Sequence, residues 1–306
     1  MTAQAERASS TSGRSASLTL LELQSMREDQ TTPDSTISVE HQERVVYSVN
    51  RGVADVRLNR PKKRNALDLE MFESLIAVGD DLARRPDVRA VVLSGEGAAF
   101  CAGLDLMSMM SSGGGVERLL ARGPESPANL AQRAAWVWTE LPVPVIAALH
   151  GAVYGGGLQI ALGADMRFCA PDARLSVMEI KWGLCPDMSL SKTLPKLTGI
   201  DVAKWLTYTG ELIEGLEAQR LGLVTRICDD PRAEALSTAT AIAERSPHAI
   251  RACKRLLNEA PSLEVLEAFK LEEELQRALI MSPNQLEAVQ ANFAKRTPQF
   301  SDPEVP

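Results

Sequence analysis

The sequence predicts an α/β fold with a helical region at its C-terminal end, and three observations carry this prediction. Short apolar runs alternate with stretches of helical periodicity over residues 41–232, which is typical of an α/β core. Only helical signals follow over residues 233–306. Residues 1–40 are rich in Ser, Ala and Thr and lack periodicity, so they predict a disordered or weakly structured tail.

The core begins with a strand and a helix. Apolar residues occupy every second position from Ala54 to Leu58, which predicts a strand. Asp68 is suited to cap a helix whose apolar residues recur at helical spacing as far as Leu82. The continuous apolar run from Ala90 to Leu93 predicts a second, buried strand.

The middle of the chain repeats this alternation. Residues 129–139 predict a helix, and residues 145–149 predict another buried strand. A glycine run follows that strand, and an apolar helix is expected from about Leu158.

The C-terminal region carries two further helical patterns. Ser246 and Pro247 form a favourable helix start, and residues 263–279 are rich in Glu and Leu. Amphipathic helices of this kind pack either on a partner subunit or on their own core, and periodicity does not distinguish the two.

Composition excludes several classes of function. The net charge of -7 argues against a general nucleic-acid or anionic-membrane partner, and no apolar run is long enough to span a membrane. The three histidines are far apart, and the five cysteines are scattered without a C-x-x-C pair. We therefore predict no metal site, a reducing and cytoplasmic compartment, and thiols that serve as small core residues.

Two glycine-containing segments are candidates for chemistry. They are FCAGLD at 100–105 and HGAVYGGG at 150–157, and the second stands between a strand and a helix. Glycines let the backbone approach a ligand and expose peptide N–H groups, although such runs also form ordinary tight turns. Neither segment matches the P-loop or the dinucleotide-binding pattern, which argues against ATP and NAD.

The order of several motifs resembles the crotonase superfamily of enoyl-CoA hydratases and isomerases. The resemblance extends from about Val45 to Phe300. The segments that carry it are LNRPKKRNAL (58–67), FCAGLDL (100–106), PVIAALHGAVYGGG (144–157), AD with RF (164–168), MEIKWGL (178–184), TGELI with EAQRLGLV (209–224) and FAKRTPQF (293–300).

This resemblance implies a spiral of repeated β-β-α units, with a C-terminal helical region that assembles trimers or dimers of trimers. It also implies that the peptide N–H groups of Leu104 and Gly156 form an oxyanion hole for a thioester carbonyl. Preorganised donors of this kind contribute about 3–4 kcal/mol each to a developing enolate. Coenzyme A arrives as part of the substrate, and no other cofactor is implied.

The carboxylates decide which reaction such a site performs. The hydratases use two glutamates, and the resemblance places the first at Gln159 and the second at Glu179. An amide is no base, although Gln159 can still bond a water or the substrate, or simply pack on its helix. The dienoyl-CoA isomerases carry a Glu and an Asp where this chain has Glu179 and Asp187, and a further Asp where it has Gln159, so two of their three acids are matched. By this likeness Asp187 is the C2 base and Glu179 the distal acid, whereas a simpler 3-enoyl isomerase needs Glu179 alone.

The resemblance also implies substrate contacts outside the acids. Arg64 is the preferred contact for the coenzyme phosphates, with Lys62 beside it and Lys295 reaching across a subunit boundary. Ala66 and Ala102 are assigned to substrate binding as well.

Each of these residues has a simpler structural interpretation. The cations are also typical of a solvated loop. Glu179 could equally be a solvated or helix-capping acid, and the Pro186–Asp187 pair is common in turns.

The sequence therefore predicts an acyl-CoA double-bond isomerase and leaves rivals open. One rival is a 2-enoyl-CoA hydratase that uses Glu179 alone. A second is a non-catalytic acyl-CoA-binding protein, and hydrolase or dehalogenase chemistry is possible on the same fold.

Overall fold

A large, mostly parallel sheet forms the centre of the fold. The computed structural model describes residues 37–39, 44–111, 113–123 and 126–304. Strands in this part of the chain are β1 (Ile37–Val39), β2 (Val45–Asn50), β3 (Val53–Leu58), β4 (Ala90–Gly95), β5 (Val145–Leu149), β6 (Ala152–Tyr154), β7 (Met166–Cys169), β8 (Arg174–Ser176), β9 (Ile213–Glu214) and β10 (Arg226–Ile227). The large sheet has the order β1-β2-β3-β4-β5-β7-β10, and it is parallel from β3 onward.

Helices cover both faces of this sheet. They are α1 (Leu69–Ala83), α2 (Leu106–Ser111), α3 (Gly115–Leu120), α4 (Leu130–Glu140), α5 (Gly156–Leu162), α6 (Leu190–Thr198), α7 (Ile200–Thr209), α8 (Gly215–Arg220), α9 (Pro231–Ala243), α10 (Pro247–Glu259), α11 (Val265–Leu279) and α12 (Pro283–Phe293). Short 3-10 helices occupy Pro61–Lys63, Glu179–Trp182 and Ala260–Ser262. The alternation of strands and helices confirms the predicted α/β class.

The hydrophobic core lies on the two faces of the large sheet. On one face, apolar side chains of α1, α4 and α5 pack on the strands, with Phe72 and Trp138 among the largest that are fully buried. On the other face, Ala235, Ala239 and Ala243 of α9 pack on Val92 and its neighbours. The small alanine side chains allow α9 to approach the sheet closely.

A second, smaller sheet runs beside the first and positions the site. It has the order β6-β8-β9, with β6 and β8 parallel. Parallel bridges join Cys101 to Val153 and Leu67 to Leu104, so these extended segments continue the stack. The chain thus passes from the large sheet to the small stack twice, from β5 to β6 and from β7 to β8. Each passage is part of one turn of a spiral.

Helix starts follow the predicted caps. The Asp68 carboxylate accepts a hydrogen bond from the Met71 N–H at 3.0 Å, and Ser246 caps α10. Asn129 and Gln132 form a reciprocal capping box at the start of α4. Helix α5 begins at Gly156, two residues before the expected position, because its first turn lies inside the glycine run.

The C-terminal helices are tied to the core by a buried cation. The Lys254 ammonium on α10 donates to the Val143 carbonyl at 2.9 Å and to the Asp165 carboxylate at 2.8 Å. The same carboxylate accepts from the Val145 N–H at the start of β5. In the part of the chain described, no helix combines the length and apolar character needed to cross a membrane.

The prediction for the tail falls mostly outside the described residues, and the prediction for the cysteines is partly wrong. Most of the predicted tail, residues 1–36 and 40, lies outside the described residues, as do residues 41–43 at the start of the predicted core, while β1 lies within the predicted tail and pairs with β2. The prediction that the cysteines are core residues holds for Cys101 and Cys169 but is wrong for Cys185 and Cys253, which are exposed. The latter two lie on a surface segment and a surface helix face, where a thiol is not enclosed by apolar neighbours.

Candidate active site

A cavity of about 420 Å³ opens beside the small sheet. Much of its lining is apolar and comes from α2, α3 and the segment after Glu179, including Met109, Leu119 and Trp182. Its polar lining comes from the backbone of the two glycine segments and from side chains that include Gln159 and Glu179. The cavity can therefore hold a largely apolar ligand that carries a few polar groups.

One side of the cavity, here named the glycine wall, is backbone from Gly103, Leu104, Gly155 and Gly156. Gly103 has φ +86°, and a Cβ there would lie 2.9 Å from the Tyr154 carbonyl oxygen and 3.9 Å from the Gly156 nitrogen. The two glycine segments therefore touch, and only glycine fits at this contact.

Hydrogen bonds lock the glycine wall in place. The Leu67 N–H donates to the Gly103 carbonyl at 2.8 Å, and the Asp105 N–H donates to the Leu67 carbonyl at 2.9 Å. These two bonds leave the intervening Leu104 N–H pointing away from Leu67. Among the described residues, the N–H groups of Leu104 and Gly156 have no hydrogen-bond partner. Both groups are available as donors to a ligand in the cavity.

An ion-pair network holds the first glycine segment from outside. The Arg60 guanidinium bonds the Asp105 carboxylate at 2.7 Å and the Ala66 carbonyl at 3.0 Å. It also lies 3.3 Å from the Asp68 carboxylate at the start of α1. The sequence prediction did not include Arg60, although its place in the LNRPKKRNAL motif is the signal that could have found it.

A second part of the cavity lining, here named the acid wall, belongs to residues 179–188 and adjoins the glycine wall, since a Cβ on Gly155 would lie 3.1 Å from the Glu179 Oε1. Glu179 is half-buried, and its Oε1 accepts a hydrogen bond from the Gln159 Nε2 at 2.7 Å. Its Oε2 is buried and has no hydrogen-bond partner among the described residues. Burial raises the pKa of the Glu179 carboxyl, and the charge of Asp187 raises it further. Glu179 thus has one oxygen held by the protein and one free to exchange a proton.

Asp187 lies on the same wall, nearer to solvent. Its side chain lines the cavity although the residue as a whole is exposed. The surroundings still remove part of its hydration, which raises the pKa of its carboxyl. The structure therefore brings the two predicted acids to one cavity.

Gln159 lies behind the acids on α5. It is 1% exposed, and its Oε1 accepts a hydrogen bond from the Met188 N–H at 2.8 Å. The Met188 contact was missed in the sequence prediction, because no local pattern relates residues that are 29 positions apart.

The predicted substrate contacts are divided between the cavity and the surface. Ala102 lines the cavity, and its N–H donates to the Arg64 carbonyl at 2.9 Å. The side chains of Lys62 and Arg64 are exposed on the adjoining segment, and Ala66 is half-buried beside them. Lys295 is exposed just after α12 and does not line the cavity. Contact of these residues with coenzyme A stays a prediction.

Metal ligation has no support from the side chains. In the described ranges, His, Cys, Asp and Glu side chains do not gather in groups of three that could hold an ion.

Comparison with known proteins gives a consistent family match. Residues 48–303 match the family model described as enoyl-CoA hydratase/isomerase. A peroxisomal Delta(3,5)-Delta(2,4)-dienoyl-CoA isomerase from Arabidopsis thaliana is 32% identical, over 80% of this chain and 91% of that protein. An enoyl-CoA hydratase of Mycobacterium tuberculosis is 31% identical, over 81% of this chain and 92% of that protein.

Solved structures agree on the fold. The crystal structure of an enoyl-CoA hydratase from Mycobacterium smegmatis superposes with a TM-score of 0.75 at 30% identity, covering 84% of this chain and 99% of that one. The predicted crotonase-like α/β spiral is confirmed by this likeness. The relatives include both hydratases and isomerases, so the match leaves the choice of reaction open.

Proposed function

The chain belongs to the enoyl-CoA hydratase/isomerase family, and on this premise we propose that it is an isomerase that moves a double bond in an enoyl- or dienoyl-CoA. The observation that carries the proposal is the pair of carboxyl groups, Glu179 and Asp187, at one cavity that also holds two unpaired peptide N–H groups. Two acids and an anion site are the parts that a proton shift beside a thioester requires.

The proposed reaction begins at the carbon next to the thioester. The Asp187 carboxylate takes the C2 proton, and the negative charge moves onto the thioester oxygen. The N–H groups of Leu104 and Gly156 donate to that oxygen and stabilise the enolate. The Glu179 carboxyl, whose raised pKa favours its protonated form, gives its proton to the far end of the conjugated system. A proton then passes from Asp187 back to Glu179, so each turnover yields one isomer and leaves the enzyme unchanged.

The apolar lining supports a hydrocarbon acyl chain. Beyond the acids, the cavity is bounded by side chains such as Met109, Leu119 and Leu184. The exposed cations at Lys62 and Arg64 adjoin Ala102 at the cavity and are proposed to meet the coenzyme phosphates. Lys295 is proposed to contribute from a neighbouring subunit.

A trimer or dimer of trimers completes the proposal. Helices α10 to α12 expose large apolar side chains, including Leu257, Leu266, Phe269 and Phe293, which suits burial against other copies of the chain. The free cysteines support a reducing, cytoplasmic compartment.

The second candidate is a 2-enoyl-CoA hydratase that uses Glu179 alone, and the free Oε2 of Glu179 favours it as a site for a water. A third candidate, a non-catalytic acyl-CoA binder, is disfavoured by the retention of two acids at the cavity. Both share the N–H groups of the glycine wall with the isomerase.

A paired turnover assay distinguishes these candidates. Purified protein is given a 3,5-dienoyl-CoA and a 2-enoyl-CoA of the same chain length, and D187N is compared with the wild type. The isomerase proposal expects diene conversion in the wild type that falls about 10²–10⁴-fold in D187N. Hydration of the 2-enoyl-CoA without diene conversion would replace the proposal with the hydratase, and binding without any turnover would replace it with the binder.

A further inference from the structure

We infer that Gln159 is a positioning residue that sets the arrangement of both proposed acids, through one bond to Glu179 and another to the backbone beside Asp187. The inference rests on the proposed function, since it concerns the same two carboxyl groups. It assigns this amide a role toward protein groups, which is separate from the predicted contact with substrate.

The neighbouring groups determine which atom of the Gln159 amide faces each of them. A peptide N–H only donates, so the amide atom facing the Met188 N–H at 2.8 Å is the oxygen. The nitrogen therefore faces the Glu179 carboxyl at 2.7 Å. Because Gln159 is 1% exposed on α5, neither bond competes with bulk water.

The acid wall has few other hydrogen bonds to the rest of the protein. In the described part of the chain, the hydrogen bonds of residues 180–187 reach no farther than Met178. They include the Leu184 N–H donating to the Glu179 carbonyl at 3.1 Å and the Gly183 N–H donating to the Ile180 carbonyl. Such bonds shape the segment but do not attach it to the core. Gln159 holds the segment at both ends, at Glu179 and at Met188.

The same amide adjusts the charge state of Glu179. A donated hydrogen bond favours the ionised carboxylate, so Gln159 lowers a pKa that burial raises. The other titratable groups that line the cavity are Asp187, Tyr154 and Cys185, and among them the charge of Asp187 acts on Glu179. Loss of the donor should therefore raise the pKa of Glu179.

Two variants separate the two bonds. Q159M removes both, while Q159E keeps an acceptor toward Met188 and replaces the donor toward Glu179 with a second carboxyl. The matched control is N284L, which removes another buried amide that bonds Ser301 at 2.8 and 3.0 Å, far along the chain. N284L measures the cost of losing a buried amide without touching the acid wall.

The first measurement follows Glu179 directly and needs no turnover. Infrared difference spectra against E179Q identify the Glu179 carboxyl band, which is then titrated in each variant. We expect the pKa of Glu179 to rise from wild type to Q159M and further to Q159E, where a like charge is added. The pKa of Glu179 in N284L should equal that in the wild type. An unchanged Glu179 titration in both Gln159 variants overturns the inference.

The second measurement is kinetic and uses the diene assay. Q159M should lower kcat by about 10²-fold with little change in KM, because the acids are misplaced while the cavity is kept. The alkaline limb of its pH profile should move to higher pH, since Glu179 acts in its protonated form. A Q159M enzyme with the kcat and pH profile of N284L contradicts the positioning role.

The two proposals fail in different ways. If the wild type does not convert the diene but the Glu179 titration shifts as expected, the isomerase proposal is wrong and the positioning role is supported. If the diene is converted and the titration does not shift, the isomerase proposal stands and Gln159 has no positioning role.

Discussion

The glycine wall and the acid wall face one cavity, yet they are built in opposite ways. The glycine wall consists of backbone that is buried in a stack of extended segments and fixed by bonds such as Leu67 N–H to Gly103 carbonyl at 2.8 Å. On the acid wall, residues 180–185 are all exposed. Two hydrogen bonds of the Gln159 side chain, one at each end, join this wall to helix α5. The proposed anion site is thus part of the fold itself, whereas the proposed proton transfer depends on the side chains of Glu179 and Asp187.

Under the proposed function, this difference predicts unlike responses to substitution. A substitution on the glycine wall should disturb packing and anion binding together, whereas one on the acid wall should change proton transfer and leave the fold intact. The following predictions test this contrast, from the largest expected effect to the smallest.

The largest loss of stability should come from G103A. Alanine at φ +86° costs about 1–2 kcal/mol. Its Cβ would also lie 2.9 Å from the Tyr154 oxygen, and relief of such overpacking costs about 1–3 kcal/mol more. Movement of the Leu104 N–H should lower kcat by about 10²–10³-fold. Chemical denaturation and steady-state kinetics measure the two losses.

The control for G103A lies on the acid wall. Gly183 also has a positive φ, +70°, but a Cβ there meets no atom within 4 Å. G183A should therefore lose about 1–2 kcal/mol of folding stability, the cost of the left-handed backbone conformation alone, and keep most of its activity. Equal losses in G103A and G183A would mean that the two walls do not differ in rigidity.

E179Q should be inactive but more stable than the wild type at neutral pH. The folded-state pKa of Glu179 is raised above the value in the unfolded chain, so the folded protein binds this proton more tightly. Stability of the wild type therefore decreases as pH rises from the unfolded pKa through the folded pKa. The glutamine side chain of E179Q is neutral, so the variant does not lose stability in this way. Glutamate and glutamine each leave one polar atom without a partner at this position, so that cost is the same in both proteins.

Thermal unfolding as a function of pH measures this effect. The two proteins should agree in acid, and E179Q should become the more stable as pH rises through the pKa of Glu179. A smaller gain is expected for D187N, because Asp187 is more exposed. An E179Q protein that is less stable than wild type at every pH would show that burial of this carboxylate carries no cost.

The smallest effect should come from R64A. The Arg64 carbonyl accepts a hydrogen bond from the Ala102 N–H, and this contact survives the substitution, while the side chain is exposed. One exposed ion pair contributes about 0.2–1 kcal/mol, so KM for a CoA ester should rise up to about fivefold with kcat unchanged. The increase should shrink at high salt. R245A, another exposed arginine, is the control, and an equal KM for R64A and R245A argues against phosphate binding by Arg64.

Local patterns were sufficient to predict the elements that bound the cavity. β5 begins and ends where the apolar run between Pro144 and His150 does, because a strand buried on both faces is apolar throughout. Asp68 and Ser246 were recognisable at helix starts because their side chains satisfy N–H groups only three residues away. The resemblance added the approach of Leu104 to Gly156, which no local signal contains.

The details of the acid wall could not be predicted in this way. β8 has three residues, too few to show a period, yet it leads the chain toward Glu179. The bonds of Gln159 join three segments that meet only in the folded chain. Whether Asp187 is exposed depends on the path of those segments rather than on its neighbours in sequence.

The stacking of extended segments also has a consequence for the order in which the protein forms. The two N–H donors come from successive turns of the spiral, 52 positions apart, since one is Leu104 and the other Gly156. A growing chain cannot present the complete pair until the second turn has docked on the first, and contacts between distant positions form slowly. If the proposed pair binds a thioester, binding requires that both turns are docked, and a bound ligand shifts the folding equilibrium of the stack toward the native state.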